Sequence, residues 1–514
     1  MNPGTDDPDV IIVGGGHNGL VAAAYLAGAG RRVVLLEARD VLGGAVAGTK
    51  ACVGVDAMVS RFSYLVSLLP REIIADLELD LELRSRRIAS FTPVGDTGLL
   101  IDRTDEQRTR DSFRTLTGSE AAFAAWQKLH RGLSSVAEVV APTLTRPLPY
   151  EHELAGRLPA ELWASLVRTP IGELIERTFA DDTVRGILLT DALIGTDSWA
   201  HDPSLRQNRC LLYHVVGDGT GEWKVPVGGM AAVAHSLEQA ARARGADLRT
   251  GAAVTKITTH DSVGAIVRLA GGETLSAPVV LANCAPASLA LLLGSRVEPP
   301  EGSQIKINMV LRRLPRFRAR IDPTDGFAGT LHLHQGYAEL GRAQAAARTG
   351  TIPDPLPAEV YCHSLTDPSI LSEELQADGW HTLTLFGLHT PASLFTSDLD
   401  ASRNRARDLA LKSLQDYLAE PLDDCVARDA DGHVCVEVMV PQDLQAELGM
   451  PGGHIFHGDL SWPWLPDDAR PRTAAQQWGV DTAHDQILLC GSGARRGGAV
   501  SGLGGHNAAM ALLA

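Results

Sequence analysis

The first forty positions alternate between apolar runs and glycines in a way that predicts a β-α-β unit. Asp9 to Val13 is an almost unbroken apolar run, as in a strand covered on both faces. Leu20 to Ala29 is alanine-rich with helical spacing and stops at Gly30, and Arg32 to Glu37 carries a second buried strand, VVLLE. From about 105 to 220 the period becomes helical, in AAFAAWQKLHRGLSSVAEVV and LPAELWASLVRTPIGELIERTFA, separated by the proline cluster PTLTRPLPY. After Pro226 the β-α pattern returns. Gly228-Gly229-Met230 opens the helix AAVAHSLEQAARARG, ADLRTGAAVTKI predicts two short strands, and PVVLAN (278–283) predicts another. Between 300 and 450, IKINMVL and WHTLTLFGL predict strands and ASRNRARDLALKSLQDYL a helix, while 345–358 is a loop long enough to suggest disorder. The chain closes with the strand QILLCGSG, the turn ARRGGAVSGLGG and the helix HNAAMALLA.

This order predicts an α/β protein of two interleaved units. One, assembled from 1–90, 222–295 and 452–514, is a discontinuous dinucleotide-binding domain. The other, from 91–221 and 296–451, is an α+β substrate domain. A chain of 514 residues is long enough for both. Its net charge of −16 argues against general nucleic-acid binding, which needs basic patches. The seven cysteines are scattered and include no CxxC pair, so neither a disulfide scaffold nor a structural zinc site is expected, and a reducing, cytoplasmic setting fits best. Neither a secretory signal nor a transmembrane helix is expected from the sequence. The apolar stretch Phe62–Pro70 is too short to span a bilayer and reads as a turn of core helix.

The chemistry concentrates at the two glycine-rich ends. Gly14, Gly16 and Gly19 fit GxGxxG between a predicted strand and helix, the context in which that spacing binds a dinucleotide. The first glycine makes the turn, the second lets the backbone approach a pyrophosphate, and the third lets helix and strand pack. The helix N-terminus offers N–H groups and positive dipole to the phosphates. His17 and Asn18 lie within this loop. Glu37, at the end of the second strand, is placed to accept from ribose hydroxyls, and its charge would repel the 2′-phosphate of NADP. Glu37-Ala38-Arg39 followed by Gly43-Gly44 gives E-x-R-x-x-x-G-G, which resembles the pattern of the glutathione reductase and amine oxidase superfamily and implies FAD. At the other end Gly491 and Gly493 close a strand, and Gly502, Gly504 and Gly505 precede the final helix. In that superfamily this late segment closes over the flavin.

These stretches, together with SRFSYLVSLL, EWKVPVGGMAAVAHSLEQAARARGADLRTGAAVTKI and GGHIFHGDLSW, make nearly the whole chain similar to the phytoene-desaturase-like flavoproteins. It most resembles the pyridine nucleotide-disulfide oxidoreductase domain-containing protein 2 group. The resemblance implies a non-covalent FAD, and hydride transfer between flavin N5 and a carbon of a small or lipid-like metabolite that makes or removes a C=C bond. It also implies a backbone contact from Val254 to the adenine end. The chain departs from the carotenoid pattern G-T-H-P-G-G-G, where it reads Gly493-Ala494-Arg495-Arg496-Gly497-Gly498-Ala499. Arg495 or Arg496 is therefore expected to meet an acidic group of the substrate or the reduced flavin, or else to point to solvent or pair with Asp467 and Asp468.

There is one dinucleotide fingerprint and no paired cysteines, so disulfide reductase activity is not expected. Electrons would pass to oxygen, a quinone or a partner protein. Candidate bases are His214, read within a strand, His457, in a glycine-bounded turn, and His506, at the start of the last helix. Trp462 and Trp464 either wall a pocket or belong to the core. Cys490 is either a flavin attachment point or a buried thiol. Two alternatives to a CH–CH dehydrogenase stand. One is an amine-type oxidase, disfavoured because only 5% of the chain is aromatic. The other is a flavin-binding interaction protein without turnover.

Overall fold

The computed structural model describes residues 7–50, 52–260 and 264–514. Its first sheet has five parallel strands in the order Ile487–Leu489, Val279–Ala282, Val10–Val13, Val33–Leu36, Asp247–Arg249. The two N-terminal strands are buried throughout because the sheet is covered on both sides. Val10, Ile12, Val33 and Leu35 face a helical layer that includes His17–Gly28, Met230–Ala243 and Leu503–Leu513. Ile11, Val13, Val34 and Leu36 face a three-stranded antiparallel layer, Val254–His260, Gly264–Leu269 and Thr274–Ala277. Alternating side chains thus serve two cores, and neither face tolerates a polar residue.

A second sheet has seven strands: Val436–Met439, Ile305–Leu311, His381–Gly387, Ala358–Tyr361, Thr330–Leu333, Ile88–Val94 and Thr97–Asp102. All pairs are antiparallel except Thr330–Leu333 with Ile88–Val94. Ile88–Val94 lies across the domain boundary expected at 90. The helices of the 106–216 region include the long Glu120–Val140. No helix among the described residues is long and apolar enough to cross a membrane. The α/β fold class is as the sequence predicts: a parallel Rossmann-like sheet and a mixed second sheet.

Five local expectations are corrected. The first helix begins at His17, so Asn18 and Gly19 lie inside it and Gly16 caps it. The last begins at Leu503 behind Gly502, which puts Gly504, Gly505 and His506 inside the helix rather than ahead of it. His214 is not in a strand. Arg206–Val216 is a helix whose buried face includes Leu211, Leu212 and Val216, and its apolar cluster LLYHVV imitates a strand. Phe62–Pro70 is not helical, and Val66 bridges Lys224 in an antiparallel pair. The 345–358 stretch begins inside the helix Tyr337–Arg348 and continues as an ordered connection to Ala358–Tyr361.

Candidate functional site

A cavity of about 440 Å³ runs along the carboxyl ends of the parallel strands. This is where an open α/β sheet leaves a crevice. The loop after the first strand supplies Gly14, Gly16, His17 and Asn18; the end of the second supplies Glu37, Ala38 and Arg39. Gly44 and Val254 line it as well. Gly14 has φ +107°, a left-handed turn open mainly to glycine. A Cβ on Gly19 would stand 2.4 Å from the Gly14 carbonyl oxygen, so helix and strand meet backbone to backbone there. Glu37, 9% exposed, is held from two sides: Gly15 N–H donates to one carboxylate oxygen at 2.7 Å and Arg39 N–H to the other at 2.9 Å.

Asn283, at the end of the strand Val279–Ala282, donates to the Gly14 carbonyl at 2.9 Å and locks the loop. Sequence reasoning missed it, although an asparagine directly after a buried parallel strand was the available signal. It also missed Phe62, Ser63 and Tyr64, which line the cavity from the extended Phe62–Pro70 segment. Trp223, Phe386 and Phe456 line it too, and Tyr64 gathers two of these rings into an aromatic end, tilted against Phe386 at 5.1 Å and stacked near Trp223 at 6.2 Å. The low aromatic content of the chain therefore does not argue against an aromatic-lined site, because five rings, Phe62, Tyr64, Trp223, Phe386 and Phe456, line it.

His17 and His457 face this cavity. Burial holds both imidazoles down at about 4, and His17 further disfavours a charge on His457. His17 Nε2, His457 Nδ1, Asn18 Oδ1 and Arg39 Nη1 are buried without a hydrogen-bond partner. Orphaned buried polar atoms are costly, about 1–3 kcal/mol each, and their gathering along one cavity marks a polar ligand's place. The low values of the two histidines also carry a sign. Between pH 6.5 and 4 the unfolded chain binds protons that the folded chain does not, so stability is full above the ordinary imidazole value and falls on acidification through that window. Thermal melts are expected to show a falling Tm from pH 6.5 to 4, with His457→Asn flattening the slope. A pH-independent Tm in both proteins would contradict this.

The pattern of the family described as flavin containing amine oxidoreductase matches residues 19–310, more than half of the chain. The chain belongs to this family. It is 48% identical to an uncharacterized protein of Mycobacterium tuberculosis over 99% of this chain and 97% of that one. It is 31% identical to the pyridine nucleotide-disulfide oxidoreductase domain-containing protein 2 of Mus musculus, over 98% and 93%. Among solved structures, a mutant of putrescine oxidase superposes with a TM-score of 0.59 at 19% identity, covering 98% of each chain, a likeness of fold. A flavin-containing family implies FAD, and the cavity fits it: a glycine loop at a helix start, an acid at the second strand and unpartnered polar atoms between them.

Within this flavin-family frame the remaining sequence candidates separate. The connection into the last helix lines the cavity through Ser492, Ala499 and Val500, but its glycines do not. They are packing positions. A Cβ on Gly491 would meet the Asn283 carbonyl at 2.7 Å, one on Gly493 Pro286 at 2.6 Å, and one on Gly504 the Gly491 carbonyl at 2.5 Å. Gly43 packs on Ala234, and Gly502, at φ +71°, caps the last helix. Of the three candidate bases only His457 lines this cavity. His506 is in the core, its ring edge-on to Tyr25 at 5.1 Å and its Nδ1 3.0 Å from Asn507 Oδ1. His214 lies behind Trp223, 3.1 Å from Asp191. Trp464 is core, stacked on Trp462, and neither lines the cavity. Cys490 is fully buried and does not line it either; its thiol is held far above the ordinary range by burial.

The arginines are the clearest correction. Arg496 is 1% exposed, and its guanidinium donates to the carbonyls of Thr143, Arg146 and Trp478. Arg495 donates to the Trp464 carbonyl at 2.8 Å. Neither side chain lines the cavity or pairs with Asp467 or Asp468; they tie loops together. Arg496→Ala is expected to lower stability by about 2–4 kcal/mol through the stranded carbonyls, read as a fall in Tm, with KM unchanged. A KM change at unaltered Tm would restore the anion-binding role. The group Asp429, Asp431 and His433 is close enough to hold a metal ion but does not line this cavity.

Proposed function

We propose that the chain is an FAD-dependent oxidoreductase of dehydrogenase or desaturase type, acting on a CH–CH unit of a small or lipid-like metabolite. The observation that carries the reading is the unequal chemistry of the cavity. Glu37 is the only acid lining it among the described residues, and it belongs to the end framed by Arg39 and Val254. The other end is apolar and aromatic, with Ile194, Trp223, Phe386 and Phe456. A protonated amine entering there would meet no carboxylate, whereas a hydrocarbon segment would exchange water for apolar surface.

In this reading the loop Gly14–Asn18 holds the pyrophosphate, Glu37 the ribose hydroxyls and Val254 the adenine end. Bound non-covalently, FAD supplies the hydride acceptor. The chain's own residues bind, orient and exclude water. Tyr64, Trp223 and Phe386 press the substrate into one orientation, and His457, neutral through burial, is able to take a proton at Nδ1. The same aromatic lining supports a second reading, an amine-type oxidase that hands electrons to oxygen.

The two differ in reoxidation. After anaerobic reduction, the flavin absorbance is expected to return slowly in air and quickly with an added quinone. Rapid return in air alone, with hydrogen peroxide formed, would favour the oxidase and overturn the dehydrogenase reading.

A further inference from the structure

A second cavity, of about 470 Å³, adjoins the first, and Leu65 and Trp223 line both. It is unlike its neighbour, because charged and titratable side chains face into it: Arg86, Asp191, His214 and Glu359. It also has a mouth. Arg103, Trp126, His130 and Glu138 line both this cavity and an open surface depression beside the helix Glu120–Val140. The molecule therefore has a passage from its surface, through a polar chamber, to the wall of the flavin-family cavity.

Arg86 is 7% exposed. Its Nε donates to the Trp223 carbonyl at 3.2 Å and its Nη1 to Thr330 Oγ1 at 3.1 Å, and the guanidinium lies over the Tyr361 ring at 5.6 Å. Among the described residues it has no ion-pair partner, and its remaining N–H donors are unassigned to any carboxylate. Three acids line the chamber: Glu138 belongs to its mouth, and the other two, Glu359 and Asp191, are otherwise engaged. Glu359 accepts from Thr190 at 3.2 Å with one oxygen and from Tyr361 with the other. Asp191 holds His214 at 3.1 Å. Burial pushes both carboxyls up, Asp191 well above its usual range, and so weakens any counter-charge they offer. Burial lowers Arg86 only to about 10, so it stays charged at neutral pH. Arg103, the other cation lining the chamber, is paired with Glu222 at 3.1 Å. A buried cation without a counter-ion is costly, and the planar fork of a guanidinium matches the paired oxygens of a carboxylate or a phosphate.

We propose that this second cavity is the substrate chamber and that Arg86 receives a carboxylate of the substrate, entering past Trp126 and His130. A single unpaired cation matches one negative charge, and the three acids lining the chamber, Glu138, Asp191 and Glu359, disfavour a second, so an organic monocarboxylate fits and a phosphate dianion does not. Arg86 is tied to the backbone of Trp223, so a carboxylate held there lies at the wall between the two cavities, with the carbon chain free to reach the apolar end beyond. This inference rests on the FAD-dependent reading of the first cavity.

The test titrates the purified full-length protein, carrying the flavin it is isolated with, with octanoate, octanol and octylamine. Calorimetry reads binding and the flavin spectrum reads proximity. Octanoate is expected to bind saturably, at least tenfold tighter than octanol or octylamine, and to perturb the flavin spectrum. Arg86→Met should lose that preference by tenfold or more while binding octanol as before. Arg86→Lys, which keeps the charge but not the fork, should retain part of it and serves if the methionine variant does not fold. No saturable octanoate binding, equal binding of the three probes, or an Arg86 variant with undiminished octanoate preference would each overturn the proposal. Octanoate selectivity through Arg86 in a protein without flavin would overturn the reading of the first cavity and leave the chamber standing.

Discussion

Glu37→Ala is expected to yield a folded protein that no longer retains FAD. The carboxylate sits at the end of Val33–Leu36, fixed by the Gly15 and Arg39 amides, with its remaining lone pairs facing the cavity. Two ribose hydroxyls bonded to a charged acceptor contribute about 1.5–3 kcal/mol each, so the loss amounts to about 3–6 kcal/mol, a hundredfold or more in Kd. The fold should survive, because the substitution removes no backbone bond of the parallel sheet and Arg39, one of the two amide donors it releases, lines a cavity that water can enter. The check is the FAD-to-protein ratio after gel filtration, with circular dichroism to establish folding. A Glu37→Ala protein with full flavin content would show that the dinucleotide lies elsewhere.

Gly505→Ala should have a larger effect on the fold than any substitution in the cavity. An added Cβ would stand 1.9 Å from the Asn18 carbonyl oxygen, in the first turn of the helix His17–Gly28. No flexible side chain is available to yield, since both sides are helix backbone, and the two helices pack along the same core. The last helix must move away, and the phosphate-side loop moves with it. A loss above about 4 kcal/mol is expected, enough to leave the protein insoluble or molten. Gly271→Ala is the matched control: nothing lies within 4 Å of its Cβ, and a change within about 0.5 kcal/mol is expected. Equal melting temperatures for the two variants would contradict this packing.

These two positions also show what was legible in the chain. Glu37 and Gly14 could be read because a parallel strand, a glycine turn and a helix are contiguous, and local spacing dictates where the acid falls. Gly505 and Gly504 were legible only as glycines near a ligand. Their packing role comes from residues near 18 and 491, and no local pattern states that. Arg496 misled for the same reason. Its partners are the carbonyls of residues 143, 146 and 478, brought together only by the fold. His214 was misplaced because LLYHVV has strand composition, while its burial pattern follows the helical period. The α/β class and the family were accessible because they rest on contiguous segments. The aromatic end and the second chamber were not, because Tyr64, Trp223, Glu359 and Phe386 converge from four distant segments.

The most direct test of the central claim, that the first cavity holds FAD without a covalent bond, is the absorbance of the purified protein before and after acid precipitation. The account predicts a yellow protein with a flavin spectrum near one FAD per chain, and all of the flavin in the supernatant once the polypeptide is precipitated. A colourless protein that takes up no added FAD, or flavin that stays with the pellet, would contradict it.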